Sequence, residues 1–334
     1  MRNNRLWRGL ALAAVLAIAS GCKQEQQSVP VSSQPGEAGT EATSTAKQFT
    51  IGFSQCTVKE PWRILFNKNL MDEAKKNPEV KLIVLDADDQ TEMQVAQMRT
   101  FIRQKVNAIL ISPKEAPGLT AVVAEATDAG IPVILLDRGV NSDKYAAFIG
   151  GDNLKIGRAA GREAVRLLGG PGNAKGVIYE ICGGLATPPA QERRGGFHEI
   201  VEKEPGIKII GGLDADWKKD RAQNILQDAL KANPEIDLVY AHNDPMAHGA
   251  YLAAKAAGRA DKIKFIGIDA NPDEGRRWVR TGEITATFLY PTPGEKGLQV
   301  ALDILNGKPV EKKYTLPTRL FNKDNIEQGG ELVE

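Results

Sequence analysis

The chain has 334 residues, of which 42% are hydrophobic, 25% are charged and 6% are aromatic. This composition excludes a disordered or fibrous chain, and the length exceeds what one hydrophobic core usually organises, so we expect two lobes. The 43 basic and 42 acidic residues leave a formal net charge of +1, which provides no electrostatic basis for binding nucleic acid.

The N-terminus has the features of a secretion signal. Arg2, Arg5 and Arg8 precede an apolar run at residues 10–18, which is too short to span a bilayer and is typical of a signal peptide. Residues 19–22 resemble a bacterial lipoprotein cleavage box, which predicts a signal peptide over 1–22 and lipidation of Cys22. An ordinary signal peptide with an incidental cysteine is the alternative. Residues 23–46 are polar and poor in large apolar groups, so they predict a disordered tether.

From residue 48 onward, strand-like runs alternate with segments of helical period. In the first half, the pattern predicts strands at 49–55, 80–86, 107–112, 132–137 and 145–150, and helices at 61–77, 90–105 and 117–129. In the second half, it predicts strands at 174–182, 207–213, 236–241, 263–268 and 284–290, and helices at 153–168, 187–203, 218–232, 244–258, 271–280 and 293–306. The alternation indicates an α/β fold with parallel sheets covered by helices, and about five strands in each half favour two similar domains.

Polar residues repeatedly follow the predicted strands. Ser54 lies at the end of the first, Asp137 and Arg138 follow the fourth, and Asn243 and Asp269 follow two strands of the second half. In open α/β sheets, ligands bind in the crevice beyond the carboxyl ends of the strands. The sequence therefore predicts a small-molecule site to which distant segments contribute.

Three features of this crevice suggest recognition of a sugar. Asp137 and Arg138 together can accept from one hydroxyl and donate to another, although a solvated turn or a salt bridge is the alternative. Trp62 begins a helix beside the crevice and can stack on a sugar ring, unless it only packs in the core. Arg193 lies early in a helix, where an inward arginine requires a polar partner, whereas Arg194 is expected to face solvent.

Capping competes with binding at two other positions. Asn243 and Asp244 both precede a helix, and we interpret Asn243 as the ligand group and Asp244 as the capping residue. Asp269 also precedes a helix, so capping and binding remain equally open there.

The sequence contains few signs of catalysis. Phosphate-binding loops, dinucleotide fingerprints, nucleophile elbows and zinc-protease motifs do not occur in it. We therefore expect no enzyme activity, no cofactor and no metal, with a secreted glycosidase as the enzymatic alternative. Cys56 and Cys182 are expected to be free, buried thiols rather than a disulfide.

Five segments in order resemble the periplasmic ribose/galactose-type sugar-binding proteins of ABC importers, closest to the galactofuranose-binding branch. They are residues 51–55, Trp62-Arg63, residues 131–138, residues 191–197 and residues 240–250. The resemblance implies the type I periplasmic binding protein fold, with two Rossmann-like lobes joined by three hinge strands. It implies an N-terminal lobe of 47–151 plus 291–318 and a C-terminal lobe of 152–290 plus 319–334.

The resemblance also implies roles for individual residues. It makes Trp62 and Trp217 stacking aromatics, and Arg63 a polar replacement for a second aromatic of ribose-type members. The ligand-binding set is then Ser54, Glu60, Trp62, Arg63, Asp137, Arg138, Arg193, Trp217, Asn243, Asp269 and Tyr290. Within this set, Tyr290 stands where relatives often place glutamine, and Glu60 replaces small or amide residues.

These features predict a binding protein rather than an enzyme. We expect a monomeric, lipid-anchored receptor in the periplasm or cell envelope that clamps a monosaccharide and delivers it to the membrane permease of an ABC importer. A galactofuranose-like sugar is the implied ligand, with another pentose or hexose, or an acidic sugar, as alternatives. A sugar-sensing component that presents its ligand to a membrane signalling protein is the alternative function. A repressor effector domain is disfavoured because a secretion signal stands where such proteins carry a DNA-binding motif.

Overall fold

The central strands of the first half are short apolar runs that become buried on both faces of a sheet. The computed structural model describes residues 47–233 and 235–334. Its first eight elements are β1 (Phe49–Gln55), α1 (Pro61–Lys75), β2 (Val80–Asp86), α2 (Thr91–Gln104), β3 (Ala108–Ser112), α3 (Ala116–Asp128), β4 (Val133–Leu136) and β5 (Ala147–Gly151). β3 and β4 are buried throughout, as expected for central parallel strands that have helices on both sides.

The second half repeats the alternation of strand and helix. Its elements are α4 (Asn153–Leu167), β6 (Lys175–Cys182), α5 (Pro188–Val201), β7 (Gly206–Asp214), α6 (Lys219–Ala232), β8 (Leu238–Ala241), α7 (Asp244–Ala256), β9 (Lys264–Asp269), α8 (Gly275–Thr281) and β10 (Ala286–Leu289). The chain then forms α9 (Gly294–Leu305), β11 (Lys313–Leu316), β12 (Arg319–Asn322) and β13 (Glu331–Leu332).

These strands form two sheets among the described residues. The first has the order β11-β5-β4-β3-β1-β2, and the second has the order β13-β12-β10-β9-β8-β6-β7. All neighbours pair in parallel except β10 with β12 and β12 with β13. The α/β fold class predicted from the sequence is therefore confirmed.

The chain passes between the two sheets three times. It leaves the first sheet after β5, returns after β10 to form α9 and β11, and leaves it again before β12. One hydrophobic cluster contains residues of both sheets, including Ile51 and Leu136 from the first and Ile178 and Ile268 from the second. The sheets are thus joined by three chain segments and share a continuous core. The lobe boundaries drawn from the sequence remain a proposal for the units that move during closure.

The C-terminal strands and the start of one helix differ from the elements predicted from the sequence. The sequence pattern predicts no element beyond residue 306, whereas β11 adds to the first sheet and β12 and β13 add to the second. These strands are short and lie at or near sheet edges, so their side chains are half exposed and carry little hydrophobic pattern. Helix α8 begins at Gly275 rather than at residue 271. In the described part of the chain, no helix combines the length and apolarity needed to cross a membrane.

Candidate functional site

A pocket of about 410 Å³ of empty space, its mouth included, lies where polar residues follow the strands of both sheets. A concave site with aromatic walls and a few convergent polar groups is typical of small-molecule binding. The lining residues come from loops and helix starts of both halves: Glu60, Pro61, Trp62, Arg63, Asp137, Arg138, Pro189, Arg193, Trp217, Asn243, Pro245, Asp269 and Tyr290.

A buried ion pair forms the wall contributed by the first sheet. The Arg63 guanidinium Nη2 lies 2.7 Å from Asp137 Oδ2, and both side chains are almost fully buried. Arg63 Nη1 also donates to Gln55 Oε1 at 3.1 Å and to Ser112 Oγ at 2.7 Å. Burial by itself would favour the neutral acid, but the positive charges of Arg63 and Arg138 hold the pKa of Asp137 below its usual value. Asp137 is therefore a charged acceptor at neutral pH.

Tyr290 connects this ion pair to the aromatic side of the pocket. Its hydroxyl donates to Asp137 Oδ1 at 2.6 Å, and its backbone carbonyl accepts from Trp62 Nε1 at 2.8 Å. The Trp62 and Tyr290 rings have centroids 5.1 Å apart at an angle of 32°. Because the indole N–H already has a partner, Trp62 can offer a ligand its ring but not a further hydrogen bond.

The wall contributed by the second sheet centres on Arg193, which is 2% exposed. Its Nε donates to Asn153 Oδ1 at 2.9 Å, and its Nη1 donates to the His242 carbonyl at 2.5 Å. The guanidinium carbon lies 4.4 Å from the centroid of Tyr290 and 5.5 Å from that of Trp217. Arg193 is thus held by hydrogen bonds and aromatic faces. The expectation that it points inward is confirmed, and Arg194 is the more exposed neighbour.

Several buried donors at the pocket have no hydrogen-bond acceptor among the described residues. They are Arg63 Nε, Arg138 Nε and Trp217 Nε1. Arg63 Nε lies 3.5 Å from Glu60 Oε2 and Arg138 Nε lies 3.6 Å from Asp137 Oδ2, which are ion-pair distances without a hydrogen bond. Leaving a buried donor unpaired costs about 1–3 kcal/mol. The pocket therefore favours a ligand that presents several acceptors.

Asp269 supplies an acceptor on the opposite side. It is 6% exposed, and none of the described residues donates a hydrogen bond to its carboxylate. Burial, together with the nearby Asp244 carboxylate, raises the pKa of Asp269 well above its usual value. A ligand hydroxyl can therefore either donate to the ionised group or accept from the protonated one.

Ten of the eleven predicted ligand-binding residues line this pocket, and Ser54 does not. The Ser54 hydroxyl is fully buried and donates to Gln97 Oε1 at 2.7 Å, toward helix α2. Side chains alternate along a strand, so Ser54 points away from the Arg63 side of the sheet, to which its neighbour Gln55 contributes. The prediction that Ser54 contacts ligand is wrong for this pocket. The roles of the other ten residues in binding remain a proposal.

The capping role assigned to Asp244 belongs to Asn243. Asn243 caps α7, since its Oδ1 accepts from the Met246 N–H at 2.9 Å. It lines the pocket as well, and its Nδ2 donates to the Trp217 carbonyl at 3.1 Å. Asp244 is fully buried and accepts instead from the Ala270 N–H at 2.7 Å. Position relative to the apolar run of the helix could not distinguish these two neighbours.

Some residues of the site were not predicted from the sequence. Pro189 and Pro245 line the pocket at the starts of α5 and α7, while Gln55 and Ser112 hold Arg63 from below. Gln55 and Ser112 are the last residues of β1 and β3. The signal that identified Asp137 and Asp269, a polar residue at a strand end, could therefore have identified them too.

Cys56 and Cys182 do not line the pocket. Cys56 and Cys182 are buried free thiols, and Cys22 lies outside the described residues. Glu180, Cys182 and His242 form a group with donor atoms close enough for a metal ion. Arg194 Nη1, however, lies 3.2 Å from Cys182 Sγ and 3.3 Å from Glu180 Oε2. A positive charge already occupies that position, so this group does not fit a metal cation.

A two-sheet α/β protein with a polar and aromatic pocket at the strand ends of both sheets is a small-molecule binding protein of the two-lobed kind. The profile of the periplasmic binding protein domain matches residues 51–309. The chain belongs to the periplasmic binding protein family, as the sequence motifs indicate.

Individual relatives match nearly the whole of the described chain. The ribose import binding protein of Bacillus subtilis (strain 168) is 30% identical over 92% of this chain and 96% of its own length. The galactofuranose-binding protein of Escherichia coli (strain K12) is 33% identical over 85% of this chain and 88% of its own length. The solved fructose-binding periplasmic domain of a hybrid two-component system is 40% identical, with a TM-score of 0.80, over 84% of this chain and 93% of that domain.

Proposed function

We propose that this protein binds a monosaccharide between its two lobes and delivers it to the membrane permease of an ABC importer. The observation that carries the proposal is the pocket itself, where aromatic faces lie beside the Asp269 carboxyl group and beside buried donors that have no acceptor among the described residues. Sugars have apolar ring faces and a rim of hydroxyls, each of which can donate and accept. The names of two relatives, ribose import binding protein and galactofuranose-binding protein, support the same ligand class.

Each group then has a task on the sugar. Trp62 and Trp217 stack on the ring faces. Asp137 accepts from one hydroxyl while Arg138 donates to its neighbour, and Arg193 and Asp269 do the same from the second lobe. Because Tyr290 and Arg63 already hold the Asp137 carboxylate, this acceptor is oriented before the ligand arrives.

The charge balance of the pocket favours a neutral sugar. Three arginines line it together with the carboxyl groups of Glu60, Asp137 and Asp269, and the ligands named for two relatives, ribose and galactofuranose, are neutral sugars. A uronic acid would place its carboxylate beside that of Asp137, which Arg63 and Arg138 keep ionised. We therefore infer a neutral pentose or hexose, with a galactofuranose-like ligand as the first candidate.

Ligand binding would stabilise the closed arrangement of the lobes because the sugar contacts both. One direct contact across the cleft supports closure of this kind. Lys114, which follows β3 in the first sheet, has its Nζ 3.9 Å from Asp216 Oδ1, which follows β7 in the second. In closed form the protein would present a sugar-loaded surface to the permease.

Localisation follows from the family and from the N-terminal sequence. Membership of the periplasmic binding protein family supports a site of action outside the cytoplasm. The basic and apolar leader ending at Cys22 supports a lipid anchor, which would tether the binding domain to a membrane of the cell envelope.

A second candidate function is sugar sensing. The fructose-binding domain that is 40% identical to this chain belongs to a hybrid two-component system. In a sensing role, the closed lobes would contact a membrane signalling protein instead of a permease. Deletion of the gene separates the two functions, because loss of sugar uptake indicates transport, whereas loss of a transcriptional response with uptake intact indicates sensing.

Calorimetric titration of residues 47–334 tests sugar binding directly. The panel contains pentoses, hexoses that populate furanose and pyranose rings, polyols and uronic acids. We expect one neutral sugar to bind with a Kd in the micromolar range or below, about −8 kcal/mol or better. Asp137→Ala should abolish the heat, and Asp128→Asn, on an exposed surface pair with Lys144, should preserve it. Binding of a uronic acid alone would contradict the neutral-sugar proposal, and no binding of any sugar would contradict the function.

A further inference from the structure

Asp244 is a buried acid beside the pocket that does not line it. It is 0% exposed, and both of its carboxylate oxygens have a partner. Oδ2 accepts from the Ala270 N–H at 2.7 Å, and Oδ1 accepts from the Thr287 hydroxyl at 2.6 Å. The first residue of α7 is thereby tied to the turn after β9 and to β10.

The turn that Asp244 holds has an unusual backbone. Asp269 has a φ of 133° and Ala270 a φ of 51°, conformations that residues with a Cβ rarely adopt. Such a geometry persists only where surrounding contacts determine it. Ala270 is fully buried, and its carbonyl accepts from Arg276 Nε at 2.9 Å, so both polar groups of its backbone are held. This turn places the Asp269 carboxylate in the pocket.

Glycines make room for the Asp244 carboxylate. A Cβ at Gly267 would lie 2.2 Å from Oδ1, and a Cβ at Gly275 would lie 1.8 Å from Oδ2. Neither distance is possible for real atoms, so β9 and the start of α8 both depend on glycine here. The surroundings therefore leave room for a carboxylate at this point through β9 and α8, and they provide it with hydrogen-bond donors from the turn after β9 and from β10.

Packing alone does not require an acid at position 244. Burial and the neighbouring Glu274 raise the pKa of Asp244, to about 7, and hydrogen bonds from Thr287 and Ala270 oppose the rise. Asp244 in turn raises the pKa of Asp269. A second carboxylate beside a pocket carboxylate is electrostatically unfavourable. Its geometric effect, the hydrogen bond to Ala270, accounts for its position.

We propose that Asp244 is a positioning residue for ligand recognition, because its hydrogen bond to the Ala270 N–H fixes the turn that aims the Asp269 carboxylate at the sugar. The proposal rests on the proposed sugar-binding function, and it concerns affinity and selectivity at the hydroxyl that Asp269 contacts. Asp244 acts through Asp269 without touching the ligand.

A double-mutant cycle on the purified mature protein tests this, with the Kd of the bound sugar as the readout. Asp244→Ala should weaken binding by about tenfold or more, because the Ala270 N–H loses its acceptor. In an Asp269→Asn background the same change should weaken binding by less than about twofold, since the group that it positions is already altered. Asp244→Asn, whose amide oxygen can still accept from Ala270, should retain affinity to within about threefold.

Two further measurements separate positioning from folding. Leu226→Ala removes buried side-chain volume from the core of the second sheet at a residue that does not line the pocket, and it should lower the thermal midpoint without changing Kd. Hydrogen exchange of the Ala270 amide, which requires no ligand, should be slow in the wild type and much faster in Asp244→Ala.

Equal losses in both backgrounds of the cycle would overturn the proposal, and so would unchanged exchange at Ala270. If the wild-type protein bound no sugar, the proposed function would fail. In that case, faster exchange at Ala270 in Asp244→Ala would show that Asp244 stabilises the turn, but the proposal that it positions a sugar-binding group would be overturned.

Discussion

Replacing either partner of the Arg63–Asp137 ion pair should destabilise the protein strongly, and replacing both should cost less than the sum. The pair joins the start of α1 to the turn after β4 through atoms 2.7 Å apart, and the two side chains are 3% and 2% exposed. Removing one member of such a pair leaves a charge buried without its counterion, which typically costs about 3–5 kcal/mol.

The cost of removing one member of this pair should be at the lower end of that range, because the remaining member keeps other hydrogen-bond partners. In Asp137→Asn, Arg63 retains Gln55 and Ser112 as acceptors, and the asparagine carbonyl can still accept. In Arg63→Met, Asp137 retains the Tyr290 hydroxyl. We expect each single variant to lose about 3 kcal/mol of unfolding free energy and the double variant also about 3 kcal/mol. The coupling energy is then about 3 kcal/mol.

Urea unfolding of the wild type, both single variants and the double variant provides the four free energies, from the midpoints and slopes of the transitions. Asp128→Asn is the matched surface control, because its partner Lys144 is exposed, and it should change stability by less than about 1 kcal/mol. Additive losses in the cycle, or single-variant losses no larger than that of the control, would refute the conclusion that this pair is buried and coupled.

Three further outcomes are expected. Burial raises the pKa of Glu180, but the hydrogen bonds and charges of His198 and His242 together outweigh it and lower this pKa from 4.5 to about 2. The contribution of Glu180 to stability is therefore present above pH 4.5 and is lost as the pH falls toward 2. Glu180→Gln should flatten this part of a curve of urea midpoint against pH, and an unchanged slope would contradict this expectation. Ile64 is 56% exposed on α1, and an exposed apolar side chain of this kind can contact the permease. Ile64→Asp should then reduce sugar uptake by cells at least about fivefold and leave the Kd for the sugar unchanged. Normal uptake would exclude such a contact. Cys22→Ser should move the protein from the membrane fraction to the soluble fraction, and continued sedimentation with membranes would exclude the lipid anchor.

The sequence predicted much of this fold because buried parallel strands have a local signature. The apolar runs of β3 and β4 and the helical segments between strands indicate the βα alternation without any long-range information. Polar residues at strand ends then located the pocket, since parallel strands end at a common edge. Asp137, Asp269 and their neighbours could be identified in this way before any contact was known.

Only the tertiary structure decided which polar groups meet. Trp62 donates to the carbonyl of Tyr290, 228 residues away in the chain, and no local pattern specifies such a partner. Ser54 and Gln55 are both polar residues at the end of β1, but alternation along the strand directs only Gln55 toward Arg63. Asn243 and Asp244 are adjacent as well, but Asn243 both caps α7 and lines the pocket, whereas Asp244 accepts from the distant Ala270 N–H.

The sequence by itself therefore determined the sheet-and-helix order and the edge at which the ligand site lies, because both depend on burial patterns within short segments. The C-terminal strands β11, β12 and β13, which complete the two sheets, became visible only in the folded chain, because short and half-exposed strands are selected by the edge that they pair with. The tertiary structure also decided the direction and the partners of each pocket side chain, because a hydrogen bond depends on where two distant backbone segments place its atoms.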